Sequence, residues 1–219
     1  MTDRPTQDAP NGAGAVAPAP SPAPDLDERI VSTEVIHRGD YLELRVETIE
    51  RADGSRARRE IVGHPGAVAI LAIDARDRVL LVRQWRTAAD RALLEIPAGT
   101  LDVDARGTVE DPELAARREL EEETGYRAGS WRRLARFWTA PGFATELMHL
   151  YLATDLSPAH ADRLGPDEDE RLTLEAIPWR DAVELVMRGE IVDAKSIVGL
   201  LWLARLRGDA GEATGVDRR

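Results

Sequence analysis

Between Glu110 and Tyr126 the chain reads EDPELAARRELEEETGY, and the local signals in that stretch specify one short helix. Asp111 is a capping side chain and Pro112 suits the first helical position. Leu114, Ala115, Ala116 and Leu120 favour continuation, and Gly125 supplies a left-handed stop. At about 3.6 residues per turn, Glu119, Glu122 and Glu123 fall within roughly one third of the circumference, so their carboxylates leave from one flank. The Glu119/Glu123 pair costs about 0.2–0.5 kcal/mol if nothing sits between the two charges. Arg118, four residues before Glu122, is placed to brace that carboxylate. A solvated acidic helix with one ion pair is the plain reading of such a string. A divalent cation on the flank is the sharper one, and an all-oxygen donor set suits Mg²⁺ or Mn²⁺ rather than zinc.

The rest of the composition narrows the chemistry. There is no cysteine among the 219 residues, which removes disulfides, thiol catalysis and zinc-thiolate sites together. His37, His64, His149 and His160 are scattered and form no recognisable ligand pair, so each reads as a surface or structural residue. A net charge of −11 opposes nonspecific binding to nucleic acid or an anionic membrane, and a polyanionic substrate would need a metal and local arginines. No apolar run approaches the roughly 18 residues that span a membrane, and the start lacks a secretory pattern, so a cytoplasmic protein is expected.

Six of the 13 prolines lie in the first 24 residues, so residues 1–28 read as a disordered Ala/Pro-rich tail. Residues 29–63 then form an N-terminal β subdomain, 64–208 the main domain, and 209–219 a flexible C-terminal tail. Within the subdomain, the alternation of Leu42, Leu44 and Val46 suggests one strand from Glu34 to Ile49, turning at Ala52-Asp53-Gly54 into a second near Arg58 to Val62. Further strands are expected at Val68 to Ile73, Val79 to Trp85, Leu93 to Ile96, Leu134 to Thr139, Met148 to Ala153 and Leu172 to Trp179. Helices are expected at Asp181 to Arg188, stopped by Gly189, and at Asp193 to Arg207, with Ile197, Leu200, Leu201 and Ala204 on one stripe. Many strands and few helices point to an α+β fold, a mixed sheet between helices in an α/β/α sandwich, with an N-terminal antiparallel hairpin or small sheet.

Glu110, seven residues, then Arg118-Glu119-Leu120-x-Glu122-Glu123-x-Gly125-Tyr126 resembles the Nudix box, the signature of hydrolases that split a nucleoside diphosphate linked to another group. One position departs. The family pattern places a glycine six residues before the first glutamate, where this chain has Asp104; Gly99 in Glu95-Ile96-Pro97-Ala98-Gly99 is the counterpart, which adds five residues to the loop. The resemblance covers roughly residues 34–207 and is closest to ADP-ribose pyrophosphatases, particularly those of actinobacteria. Arg83-Gln84-Trp85-Arg86 is similar to the substrate-binding RQxR segment, Glu95 to Gly99 to the ExPAG turn, Pro141-Gly142-Phe143 to the PGF motif, and Gly189 to Lys195 to the GEIxDAK segment.

The resemblance implies hydrolysis of the diphosphate of ADP-ribose to AMP and ribose 5-phosphate by metal-activated water. It places Mg²⁺, with Mn²⁺ as substitute, on the Ala98 carbonyl, Glu119 and Glu123, with Glu122 a further ligand or the acceptor for Arg118. Arg83, Arg86, Glu95, Gly142 and Phe143 would bind substrate. For the general base it leaves two candidates. Glu168, in the acidic run Asp167-Glu168-Asp169-Glu170, is favoured, with Glu170 a mobile metal ligand; Glu146, just past the PGF motif, is the rival. The subfamily exchanges its N-terminal hairpin between subunits, which implies a homodimer. Two other readings stand beside this one. The substrate could be a sugar nucleotide, a dinucleotide or an oxidised nucleotide, or the chain could be a non-catalytic ADP-ribose-binding regulator, although its box glutamates are complete.

Overall fold

The computed structural model describes residues 26–159 and 171–213. Two observations organise it: strand β4 is buried on both faces, and every helix packs against one of those faces or the other. In chain order the elements are β1 (Glu28–Arg38), β2 (Glu43–Arg51), β3 (Arg56–Gly63), β4 (Ala67–Ala72), β5 (Arg78–Arg86), β6 (Arg91–Glu95), β7 (Ala98–Thr100), α1 (Pro112–Thr124), β8 (Tyr126–Trp138), β9 (Leu147–Pro158), β10 (Leu172–Pro178), α2 (Trp179–Met187) and α3 (Ala194–Ala213).

The central four-stranded sheet has the order β7-β4-β9-β8, with β4 and β9 parallel and the other neighbours antiparallel. Its run Ala67-Val-Ala-Ile-Leu-Ala is continuously apolar because water reaches neither side. Ala67, Ala69 and Leu71 face Ala182 of α2 and Leu200 and Leu203 of α3, whereas Val68, Ile70 and Ala72 face Ala115, Ala116 and Leu120 of α1. A second sheet, β10-β5-β6, is antiparallel throughout. The expected mixed sheet between helices is thus what the chain forms.

The N-terminal unit differs in detail from its sequence reading. It is a three-stranded antiparallel sheet, β1-β2-β3, and not one long strand followed by a second. The chain reverses at Gly39–Leu42, closed by the Gly39 N–H donating to the Leu42 carbonyl at 2.8 Å. The alternation at Leu42, Leu44 and Val46 hid that turn, because a period of two continues through it in the string while the backbone folds back. In α3 the expected stripe is also corrected. Leu200 and Leu203 enter the core, while Leu201 is 43% exposed.

Helix α1 obeys its local signals. The Asp111 carboxylate accepts from the N–H groups of Glu113 and Leu114 at 2.9 and 3.1 Å, and Gly125 ends the helix at φ 71° with its N–H on the Glu121 carbonyl. Two forces of different size therefore hold α1. Leu120→Ala is expected to cost about 2–5 kcal/mol, because a fully buried side chain leaves a cavity. Asp111→Ala is expected to cost about 1 kcal/mol through the lost cap. Urea titration of both variants checks the ranking; an Asp111→Ala loss equal to or larger than that of Leu120→Ala would refute it.

Candidate active site

The acidic flank of α1 lies against β7, and a missing side chain makes that approach possible. At Gly99 an added Cβ would stand 1.9 Å from Glu119 Oε1, so any other residue there would push the Glu119 carboxylate away. One residue earlier, the Ala98 N–H donates to Glu123 Oε2 at 3.0 Å. Glu119 and Glu123 are consequently 8% and 4% exposed, although both are charged side chains. Burial of that kind demands compensation. Arg118 contributes part of it, with Nη1 2.8 Å from Glu119 Oε1 and 2.9 Å from Glu122 Oε2, and Nη2 3.1 Å from Glu110 Oε2. Burial alone would lower the Arg118 pKa, but its hydrogen bond to Glu110 and the nearby Glu119 and Glu122 outweigh it and the net direction is up.

Of the two roles left open for Glu122, this geometry displays the Arg118 acceptor. Glu110 and Glu119 join the same guanidinium, which the i,i+4 rule alone did not announce. Among the described residues, no three His, Asp or Glu side chains form a metal-holding cluster as they stand. The donor set nevertheless fits a hard divalent ion. Glu119 and Glu123 bring carboxylate oxygens to the Ala98-Gly99 backbone, with Glu122 adjacent, an all-oxygen set.

Behind β7, a buried charge network fixes the Glu95–Gly99 turn. Glu95 is 1% exposed, and its two oxygens accept from Arg86 Nε and Nη2 at 2.8 Å each. Lys195 Nζ adds a third contact to Glu95 and lies 3.0 Å from Asp193 Oδ1. Asp193 in turn caps α3, accepting from the Ser196 N–H and hydroxyl, and that hydroxyl accepts the Ile96 N–H at 2.8 Å. Burial pushes the Glu95 pKa up, but Arg86 and Lys195 outweigh it and the net direction is down. The Glu95 carboxylate is thus occupied in orienting Arg86. Lys195 and Ser196 escaped the sequence reading as site residues, because Glu95 and Ile96, which they hold, lie a hundred positions away.

Arg83 and Arg86 part company. With no register shift in β5, side chains three apart leave from opposite faces of the strand. Arg86 shares the face of Glu95; Arg83 pairs with Glu175 of β10 at 2.7 Å. The Pro141-Gly142-Phe143 tip is exposed, with Gly142 free of neighbours and Phe143 56% exposed. Its following residues dock onto the end of β3, where Val62 N–H donates to the Phe143 carbonyl at 2.7 Å and Thr145 N–H to the Val62 carbonyl at 3.0 Å. Glu146 accepts from the Thr139 hydroxyl at 2.5 Å and faces His64 Nε2 at 3.8 Å. The sequence reading makes His64 a surface or structural residue. Glu168, Glu170 and His160 lie outside the described residues.

Comparison with known proteins follows these features. The NUDIX domain model matches residues 63–197. An ADP-ribose pyrophosphatase of Bacillus subtilis is 41% identical over 178 residues, 81% of this chain and 93% of that protein. An ADP-ribose pyrophosphatase of Mycobacterium tuberculosis is 39% identical over 175 residues, 80% of this chain and 82% of the other. A crystal structure of an ADP compounds hydrolase superposes with a TM-score of 0.71 at 24% identity, covering 84% of this chain and 96% of that one, a likeness of fold.

The buried network has a pH signature. The Glu95 pKa lies below its ordinary 4.5 in the folded state, so its contribution to stability is full above about pH 4.5 and is lost as pH falls through the folded value. Lys195→Met removes one partner of the 2%-exposed Glu95 side chain and is expected to cost about 3–5 kcal/mol at pH 7, with a smaller deficit in acid. Urea unfolding between pH 3 and 7 measures both. A deficit that does not depend on pH would show that the pair is not what Lys195 supplies.

Proposed function

The chain belongs to the Nudix family, and from that premise we propose that it hydrolyses the diphosphate of ADP-ribose to AMP and ribose 5-phosphate. The observation that carries this reading is the closure of Glu119 and Glu123 onto Ala98-Gly99, which gathers oxygen donors where the family's box requires them. Divalent-metal dependence is general in the family; for this chain we assign Mg²⁺, with Mn²⁺ as substitute, held by Glu119, Glu123 and the Ala98 carbonyl. Such an ion supplies positive charge to the diphosphate oxygens and lowers the pKa of water it holds.

The side chains do the remainder. Arg86, its fork held flat by Glu95, presents a fixed guanidinium to phosphate, and Arg83 contacts substrate from the other face of β5. Gly142 and Phe143 offer an exposed tip to the nucleoside. As water attacks phosphorus and the anhydride P–O bond breaks, the water's proton passes to a carboxylate. The resemblance favours Glu168 as that base, with Glu170 a mobile ligand; we argue the chemistry on its rival Glu146, whose oxygens face Thr139 and His64. The domain reading is retained as a proposal, with residues 29–63 a dimerisation unit. All of β1 is exposed, including Ile30, Val31, Val35 and Ile36, a surface that suits a second copy of the chain. No helix among the described residues is long and apolar enough to cross a membrane, which is consistent with a cytoplasmic enzyme acting on a small molecule.

The purified protein with Mg²⁺ is expected to convert ADP-ribose to AMP and ribose 5-phosphate faster than it converts sugar nucleotides, dinucleotides or oxidised nucleotides. Glu123→Gln is expected to lower kcat by about 100-fold or more while ADP-ribose still binds. Chromatographic product analysis and calorimetry read the two effects; no ADP-ribose turnover in the unaltered enzyme would end the proposal.

For the assembly, light scattering is expected to give twice the 24.1 kDa chain mass, and deletion of residues 1–38 to give a monomer. A monomeric full-length chain at micromolar concentration would contradict the dimer.

A further inference from the structure

His64 sits in the short link between β3 and β4, and its imidazole is committed at one nitrogen and aimed with the other. The Gly66 N–H donates to His64 Nδ1 at 3.0 Å. In the neutral ring the proton must then be on Nε2. That nitrogen faces Glu146 Oε1 at 3.8 Å, with the two side chains 11% and 28% exposed. The other Glu146 oxygen, Oε2, accepts from the Thr139 hydroxyl.

The backbone around the ring has little freedom to change this aim. The His64 N–H donates to Thr145 Oγ1 at 2.7 Å, and that hydroxyl donates back to the His64 carbonyl at 3.1 Å. The residue is thereby pinned to the loop that leads into Glu146. Gly66 is needed for the arrangement, since its φ of 106° is left-handed and a Cβ there would meet Leu101 and the Leu147 carbonyl at 3.2 Å. The Tyr41 ring, carried by the β1–β2 turn, meets the imidazole in a T-shaped pair with centroids 5.9 Å apart.

We propose that His64 is a positioning residue that donates from Nε2 to Glu146, so that Thr139 and His64 together fix the direction in which that carboxylate receives the proton from the attacking water. The inference rests on Glu146 being the base. A separation of 3.8 Å exceeds a hydrogen bond, and contacts of this kind shorten when substrate fills a site. Burial lowers the His64 pKa against the pull of Glu146, which keeps the ring a neutral donor. Tyr41 makes the N-terminal sheet part of the same chain of contacts, Tyr41 to His64 to Glu146 to Thr139.

Asn and Gln separate the two nitrogens. His64→Asn keeps a group where Nδ1 meets Gly66 and removes the donor that faces Glu146; His64→Gln reaches the Nε2 position with an amide N–H. His64→Asn is expected to lower kcat on the order of tenfold with KM unchanged, and His64→Gln to retain most of the activity, an asymmetry that a packing role would not produce. Independently of turnover, the imidazole ¹⁵N shifts of the unaltered protein, assigned by their loss in His64→Gln, are expected to report the Nε2-protonated neutral ring. A proton on Nδ1, or equal kcat in His64→Asn and the unaltered enzyme while Glu146→Gln is crippled, overturns the inference alone. Full turnover in Glu146→Gln overturns the base assignment and His64's part with it.

Discussion

The site depends on the fit of the α1 carboxylates against β7, where a glycine leaves room for one of them. Because Gly99 has no side chain, the Glu119 carboxylate occupies the space a Cβ would take, and Glu123 accepts from the neighbouring Ala98 N–H. Everything that fixes either partner therefore fixes the site. The core contacts of Ala115, Ala116 and Leu120 set the height of α1 over β4, and the pairing of β4 with β7 sets the position of Ala98 and Gly99. Lys195, Asp193 and Ser196 then tie the preceding turn to the start of α3 on the far side of the sheet. The two helical layers thus hold the Glu95–Gly99 turn from opposite faces.

That division explains which parts of the molecule are legible in its sequence. The α1 boundaries were readable to the residue because capping, an N1 proline and a left-handed glycine act within one turn of helix. Strands β4 and β9 were readable as apolar runs, whereas β7 reads as a turn and only the end of the arginine-rich β8 is expected. What a local rule cannot supply is the partner of a charge. Arg118 was seen with Glu122 four residues on, but its contact with Glu110 depends on how the preceding loop returns. Glu95 was expected at the substrate, and only the packing of α3 reveals its carboxylate engaged by Arg86 and Lys195. The turn at Gly39 was missed because hydrophobic alternation counts residues and not direction.

The opposition of Arg83 and Arg86 is a subtler case. A short motif invites the assumption that its members act at one point, yet a strand sends residues three apart to opposite faces. In the β10-β5-β6 sheet this separates a guanidinium clamped to a buried carboxylate from one in an exposed pair with Glu175. The first is held in one geometry by two hydrogen bonds and low solvent access; the second is a screened contact of small energy, free to exchange Glu175 for another anion. The two guanidiniums accordingly differ in kind, one held in a fixed orientation and the other an adaptable charge.

Charge finally constrains how such a site meets a diphosphate. On the α1 flank Arg118 stands against Glu110, Glu119 and Glu122, with Glu123 beside them, within a chain whose net charge is −11. An anionic ligand approaching that flank is repelled, and Arg86 offers it little net relief because Glu95 shares its charge. Glutamates at this density are useful to a diphosphate-binding protein only if divalent cations convert the flank from a repulsive surface to an attractive one. The same imbalance disfavours a protein that senses such ligands without metal, since it would keep the repulsion and gain nothing from it. The electrostatics of α1 thus agree with the divalent-metal dependence that is general in the family.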